Sequence, residues 1–138
     1  MKKSIFLVLL ALVGVSYFYS NAYCQSKPLL YFCERYDKTL GKEVGQSSTF
    51  STGRLTVMVK SPRELNLTDC SIQLDKYNTN TEEFKFYKKI KFTLTRDMDY
   101  VIFKDDELSF DDRGVYRVYL LDSYGETITA SVIIIRGY

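Results

Sequence analysis

The chain contains no histidine and no tryptophan. Without an imidazole, the Ser-His-Asp and Cys-His nucleophile arrangements, the HExxH zinc site and Cys/His zinc fingers are all excluded. No glycine-rich phosphate loop or nucleophile elbow is found in its 138 residues, and no long stretch has helical periodicity. Internal repeats, low-complexity tracts and a second-domain linker are also missing. Surplus charge is lacking too. Lys2 and Lys3 lie in an N-terminal stretch without acids, and beyond it 17 basic side chains face 17 acidic ones. Such a balance argues against a polyanion binder whose affinity comes from neutralising phosphates, so nucleic acid is not an expected partner. Paired carboxylates can hydrolyse glycosides without histidine, but they must flank a cleft roughly 5 to 9.5 Å across. A β domain of this size rarely contains one, so neither catalysis nor a required cofactor is expected.

What is present begins with an export signal. Met1, Lys2 and Lys3 form a short positive region, and residues 5–18 are an apolar run interrupted only by Gly14 and Ser16. This is the pattern of a secretory signal peptide, and it is shorter than the roughly 20 apolar residues that span a bilayer. The leader is taken as residues 1–24, with cleavage after Ala22 or Cys24 and a mature domain over 25–138. The mature chain then has no integral membrane segment. Cys24 is also a candidate for the lipid-modified first residue of a lipoprotein, although Asn21-Ala22-Tyr23 matches that signal poorly. The expected location is exported: periplasmic, outer-membrane-associated or extracellular.

Of three cysteines, Cys33 and Cys70 lie beyond the leader. In an oxidising compartment they could pair. Closing a loop of about 37 residues would contribute roughly 4 kcal/mol on the chain-entropy estimate. The alternative is two buried free thiols, since Cys33 shares the parity of Tyr31, and Cys70 that of Ile72 and Leu74.

From residue 29 onward, short runs rich in Val, Ile, Tyr, Phe and Thr alternate with clusters of Gly, Ser, Asn and Asp, the pattern of an all-β domain. Strands are expected over 29–35, 54–60, 70–77, 84–95, 100–104, 114–122 and 127–135. Residues 36–53 form the longest loop, and Ser123-Tyr124-Gly125 reads as a hairpin turn. In the second strand Leu55, Val57 and Val59 are expected inward and Arg54, Thr56, Met58 and Lys60 outward. In the fourth, Phe84, Phe86, Ile90, Phe92 and Leu94 share a face opposite Lys85, Tyr87, Lys89 and Lys91, and Lys88 breaks the pattern, so a bulge is expected there. Seven short strands in this length fit a two-sheet sandwich.

Asp112-Arg113-Gly114-Val115-Tyr116, followed by Arg117-Val118-Tyr119-Leu120, resembles the D-x-G-x-Y entry into the sixth strand of immunoglobulin-like domains. The resemblance implies a seven-stranded immunoglobulin-like sandwich with a tyrosine corner at Asp112, Gly114 and Tyr116, where the ring fills the core and its hydroxyl returns to the backbone. Val118 stands where antibody domains place a cysteine, and the usual tryptophan is missing, so the likeness is to the broad superfamily. Such a fold implies no chemistry by itself.

Candidate sites follow from charge and aromatic placement. Asp105, Asp106, Glu107 and Asp111, with Asp112 beside them, form an acidic run that could hold calcium, against the plainer account of a solvated loop pinned by Leu108 and Phe110. Lys85, Tyr87, Lys89 and Lys91 are candidates for a binding face, as are Arg117 and Tyr119 with Arg54 and Met58; lysines also protect an exposed strand edge. The expected function is a non-catalytic exported module that binds a protein partner in the bacterial cell envelope. A carbohydrate-binding module, calcium-assisted and using Tyr77, Tyr87 and Tyr124 on a glycan, is the alternative, and a structural envelope protein is the third.

Overall fold

The computed structural model describes residues 27–137. The leader, its cleavage at Ala22 or Cys24 and lipidation of Cys24 lie outside the described residues. Those residues are all β. In chain order the strands are β1 (Leu29–Cys33), β2 (Arg35–Asp37), β3 (Lys42–Val44), β4 (Thr49–Ser51), β5 (Gly53–Arg54) and β6 (Thr56–Lys60). They continue as β7 (Asp69–Asn78), β8 (Glu83–Thr93), β9 (Tyr100–Phe103), β10 (Ser109–Phe110), β11 (Gly114–Leu121) and β12 (Thr127–Arg136).

One sheet has the order β1-β6-β9 and a larger one the order β4-β12-β11-β7-β8, with β2-β3 and β5-β10 as two-stranded additions. All pairings are antiparallel except that of β4 with β12. The alternation of apolar residues explains why these segments pair as they do. Leu30, Phe32, Val57, Val59, Val101 and Phe103 point from the three-stranded sheet into one core with Ile72, Leu74, Val118, Leu120, Ile133 and Ile135 of the five-stranded sheet. Phe92 of β8 meets Phe103 of β9 edge-on at 5.0 Å between centroids, which ties the two sheets together. Each such buried side chain contributes about 1.5 to 3 kcal/mol relative to exposure. The arrangement is sandwich-like.

The seven expected strands correspond to β1, β6, β7, β8, β9, β11 and β12. The expected long loop over 36–53 is different: it contains the β2-β3 hairpin and then β4. Asp37 Oδ1 accepts hydrogen bonds from the Thr39 and Leu40 amides at 2.9 and 3.1 Å, and Gly41 at φ 61° closes the turn. These strands have three residues each, Arg35-Tyr36-Asp37 and Lys42-Glu43-Val44, too few for an alternation to stand out from a loop.

This hairpin corrects a second expectation. The alternation predicts Met58 and Thr56 outward, yet Met58 is 0% exposed and Thr56 is buried as well. Their parity is outward as expected, but the hairpin covers them. The Tyr31 and Tyr100 hydroxyls rise from the outer face of the small sheet and donate to Glu43 Oε1 at 2.6 and 2.7 Å, and Tyr36 packs near Tyr100 at 6.3 Å. A small second core, outside the sheet, results.

Cys33, paired with Thr56 across the strands, belongs to that outer layer, whereas Cys70 joins Ile72 and Leu74 in the main core. The two thiols therefore lie on opposite sides of the three-stranded sheet, and both are free and buried. The candidate disulfide is replaced by two separate thiols, because the apolar neighbours that Cys33 shares with Tyr31 belong to the outer layer. Burial pushes Cys70 up to about 11 and raises Cys33 as well, helped by the charge of Glu43, so neither is a thiolate at neutral pH. In a chain beginning at residue 25, a thiol reagent should therefore find almost nothing while the protein is folded and two thiols per chain after denaturation without reductant. A count of zero until reductant is added would show a bridge instead.

Candidate functional site

The outer face of the five-stranded sheet can be read row by row from the register. Val132 of β12 lies opposite Arg117 of β11, Arg117 opposite Asp75 of β7, and Asp75 opposite Phe86 of β8. On one side runs a row of Ala130, Tyr119, Gln73 and Lys89. On the other, Ile134 pairs with Val115 and Tyr77 with Phe84, and Ile134, Val115 and Tyr77 line one shallow depression. Phe86 is 65% exposed, Val132 47% and Ile134 42%. A contiguous band of apolar and aromatic side chains is thus left open to solvent, with charges at its centre and rim.

A β-bulge puts the phenylalanines there. The β7-β8 register shifts between Leu74, which faces Lys88, and Asp75, which faces Phe86, so Tyr87 is the extra residue. The expected bulge near Lys88 is present. It also reverses the parity expected for Phe84 and Phe86, which turn to the outer face beside Lys89 and Lys91, while Ile90 and Phe92 stay with the core. Of the candidate binding residues, the structure brings Lys89, Lys91, Arg117 and Tyr119 onto one face. Tyr87 leaves it to pack edge-on against Tyr116 at 5.4 Å, and Lys85 pairs with Lys76 on the opposite parity. β8 is the edge of its sheet, which is where protective lysines are useful. Arg54 and Met58 belong elsewhere, Met58 under the hairpin and Arg54 in an ion pair with Asp106.

Arg117 is the polar centre of the face. Its guanidinium lies 4.0 Å from the Phe84 ring centroid, and one nitrogen donates to the Tyr119 hydroxyl at 3.1 Å. Asp75 is opposite in register, yet its carboxylate accepts from the Gln73 amide at 2.9 Å, and no ion pair joins it to Arg117 among the described residues.

The acidic run is dispersed. Asp105 Oδ1 accepts from the Glu107 amide at 2.8 Å, Asp106 pairs with Arg54 at 2.9 Å, and Asp111 lies 3.7 Å from Lys88. Lys88 also donates to the Ser109 carbonyl at 2.8 Å and the Glu107 carbonyl at 3.1 Å, while Leu108 and Phe110 are fully buried. Among the described residues no three acidic or cysteine side chains are placed to hold a metal ion. Nor is any helix there long and apolar enough to cross a membrane.

The corner at the start of β11 has the expected form. Tyr116 is fully buried, its ring stacks edge-on against Phe110 at 5.2 Å, and its hydroxyl donates to the Asp112 carbonyl at 2.7 Å. Burial drives its ionisation well above the usual tyrosine range. Gly114, at φ 151°, makes the entry that a side chain would strain, and a Cβ there would meet Lys76 Cε at 3.1 Å.

The fold and this corner define an all-β, sandwich-like domain whose entry into β11 resembles the sixth-strand entry of immunoglobulin-like proteins. No protein-family model matches the chain, and no curated protein matches it in sequence. Among solved structures it is similar to an immunoglobulin-like protein from Pseudomonas aeruginosa, at 7% identity and a TM-score of 0.48, over 82% of this chain and 99% of that one.

Two outcomes are expected of this geometry. Tyr116→Phe leaves the Asp112 carbonyl without its donor and should cost about 1 to 2 kcal/mol, read as a lower urea midpoint at unchanged slope. Glu43 is held below the usual carboxylate range by the Tyr31 and then the Tyr100 hydroxyl. Because that folded value is depressed, its stabilisation is complete above the unfolded value near 4.3 and is lost as pH falls through the folded one. The stability difference between wild type and Glu43→Gln, about 1 kcal/mol for a half-exposed charged acceptor, should be constant between about pH 6 and 8 and shrink below about pH 4. A difference independent of pH would show that the carboxylate charge does not hold the hairpin.

Proposed function

We propose that this chain is a non-catalytic, exported, immunoglobulin-like module that binds a protein partner through the outer face of its five-stranded sheet. The supporting observation is the exposure of Phe86, Val132 and Ile134, which are joined through Val115, Tyr77 and Phe84 in a band that runs around Arg117. Arginine and aromatic residues are enriched at protein interfaces, and they occupy the centre of this face, while Lys89 and Lys91 stand toward its rim. The signal-peptide pattern of residues 1–24 supports export, and with it a partner in the cell envelope. A partner protein would cover the apolar side chains and leave the sheet register unchanged.

The test is photo-crosslinking in the host from a benzophenone amino acid placed at Val132 or Phe86, with Leu29 on the other sheet as the control position. Adducts with one envelope protein from Val132 and Phe86, and none from Leu29, are expected. Phe86→Ala and Val132→Ser should abolish those adducts, read from the other face position in each case, while changing stability by no more than about 0.5 kcal/mol. Adducts of equal yield from Leu29, or none from the face of a folded protein, would refute the assignment.

A further inference from the structure

Resting on that reading, we infer that the partner presents a carboxylate to Arg117, an Asp or Glu side chain set among apolar residues. Without any partner the guanidinium already lies against Phe84 at 4.0 Å and donates to the Tyr119 hydroxyl at 3.1 Å. That single hydrogen bond uses one of five N–H donors, and no carboxylate among the described residues pairs with the group. The remaining donors form a planar fork whose geometry matches two carboxylate oxygens. Prior stacking lowers the ordering cost of engaging them.

The surrounding charge selects the same partner. On the outward parity of β7, β8, β11 and β12 stand Arg117, Arg136, Lys89 and Lys91 against Asp69 and Asp75. A second copy of this chain would set those cations against each other, so the face disfavours pairing with itself. A nucleic acid would use the cations and leave Phe86, Val132 and Ile134 without apolar company. An acidic protein surface with apolar neighbours satisfies both.

The experiment selects a displayed library of random peptides on the intact protein and locates the best binder by amide chemical-shift changes. Its affinity is then measured for wild type, Arg117→Lys, Arg117→Gln and the distant control Arg63→Gln. Enrichment of Asp or Glu beside apolar residues is expected, with shifts centred on Val132, Arg117 and Phe86. Arg117→Gln should weaken binding tenfold or more and Arg117→Lys several-fold, while Arg63→Gln has no effect. Removing the carboxylate from the peptide should cost the same factor in wild type and nothing further in Arg117→Gln. Arg117→Lys keeps the charge and the stem, and thermal unfolding confirms that each variant is folded.

Peptides that bind this face without needing an acid would overturn the carboxylate assignment and leave the binding face standing. Peptides that map to another surface, or none that bind, would overturn both. Self-association that is lost in Arg117→Gln would assign the face to a second copy and overturn the acidic partner.

Discussion

Burial of the Tyr116 ring fixes the parity of β11, and the rest of the molecule depends on that parity. The ring is enclosed by Phe110 and Tyr87, and its hydroxyl is tied to the Asp112 carbonyl four residues back. With Tyr116 inward, Val118 and Leu120 follow it into the core, and Val115, Arg117 and Tyr119 must face outward. A slip of one residue would reverse every one of these assignments, exchanging the core for the candidate binding face. Because β11 pairs with both β7 and β12, the choice made at the corner is passed to its neighbours on either side.

Parity can also be changed locally, and the bulge in β8 does so. Up to Phe86 the strand turns its phenylalanines to the outer face, and from Lys89 it turns lysines there. Without the extra residue at Tyr87, Phe84 and Phe86 would lie over the core and Lys85 would share the outer face with Lys89 and Lys91. Just past the bulge, Lys88 reaches the Ser109 and Glu107 carbonyls and holds the acidic loop against the sheet. One inserted residue therefore adds Phe84 and Phe86 to the face that Val132 and Ile134 of β12 already line.

The main sheets were legible because their strands alternate over five residues or more, as in Leu55, Val57 and Val59 or Val118 and Leu120. The corner was legible because Gly114 and Tyr116 are each required by a specific backbone or packing need. The β2-β3 hairpin was not, since it is held by Asp37 at its turn and by Glu43 on two tyrosine hydroxyls, contacts that join residues far apart in the chain. That omission propagates to Met58, whose outward parity alone suggests an exposed position. For the binding face, Arg117, Tyr119, Lys89 and Lys91 could be read from outward parity. Phe84, Phe86, Val132 and Ile134 could be joined to them only after the strand order and bulge were known, because sequence periodicity does not say which strands are neighbours.

The two outer faces of the domain are treated differently, and the contrast bears on function. On the small sheet, Met58 and Thr56 face outward and are covered by a hairpin from the same chain, fixed by the Glu43 carboxylate. On the larger sheet, Val132, Ile134 and Phe86 face outward and nothing in the described residues covers them. If solubility alone governed these surfaces, the larger apolar band would have the greater need of a cover or of polar substitutions, which an exposed strand accepts at little cost. The hairpin lies over only part of the small sheet's outer face, where Leu29 and Ile102 stay exposed. On the larger sheet, by contrast, Val132, Ile134 and Phe86 surround a guanidinium held against Phe84, and the proposed acidic partner is the cover that would suit that arrangement.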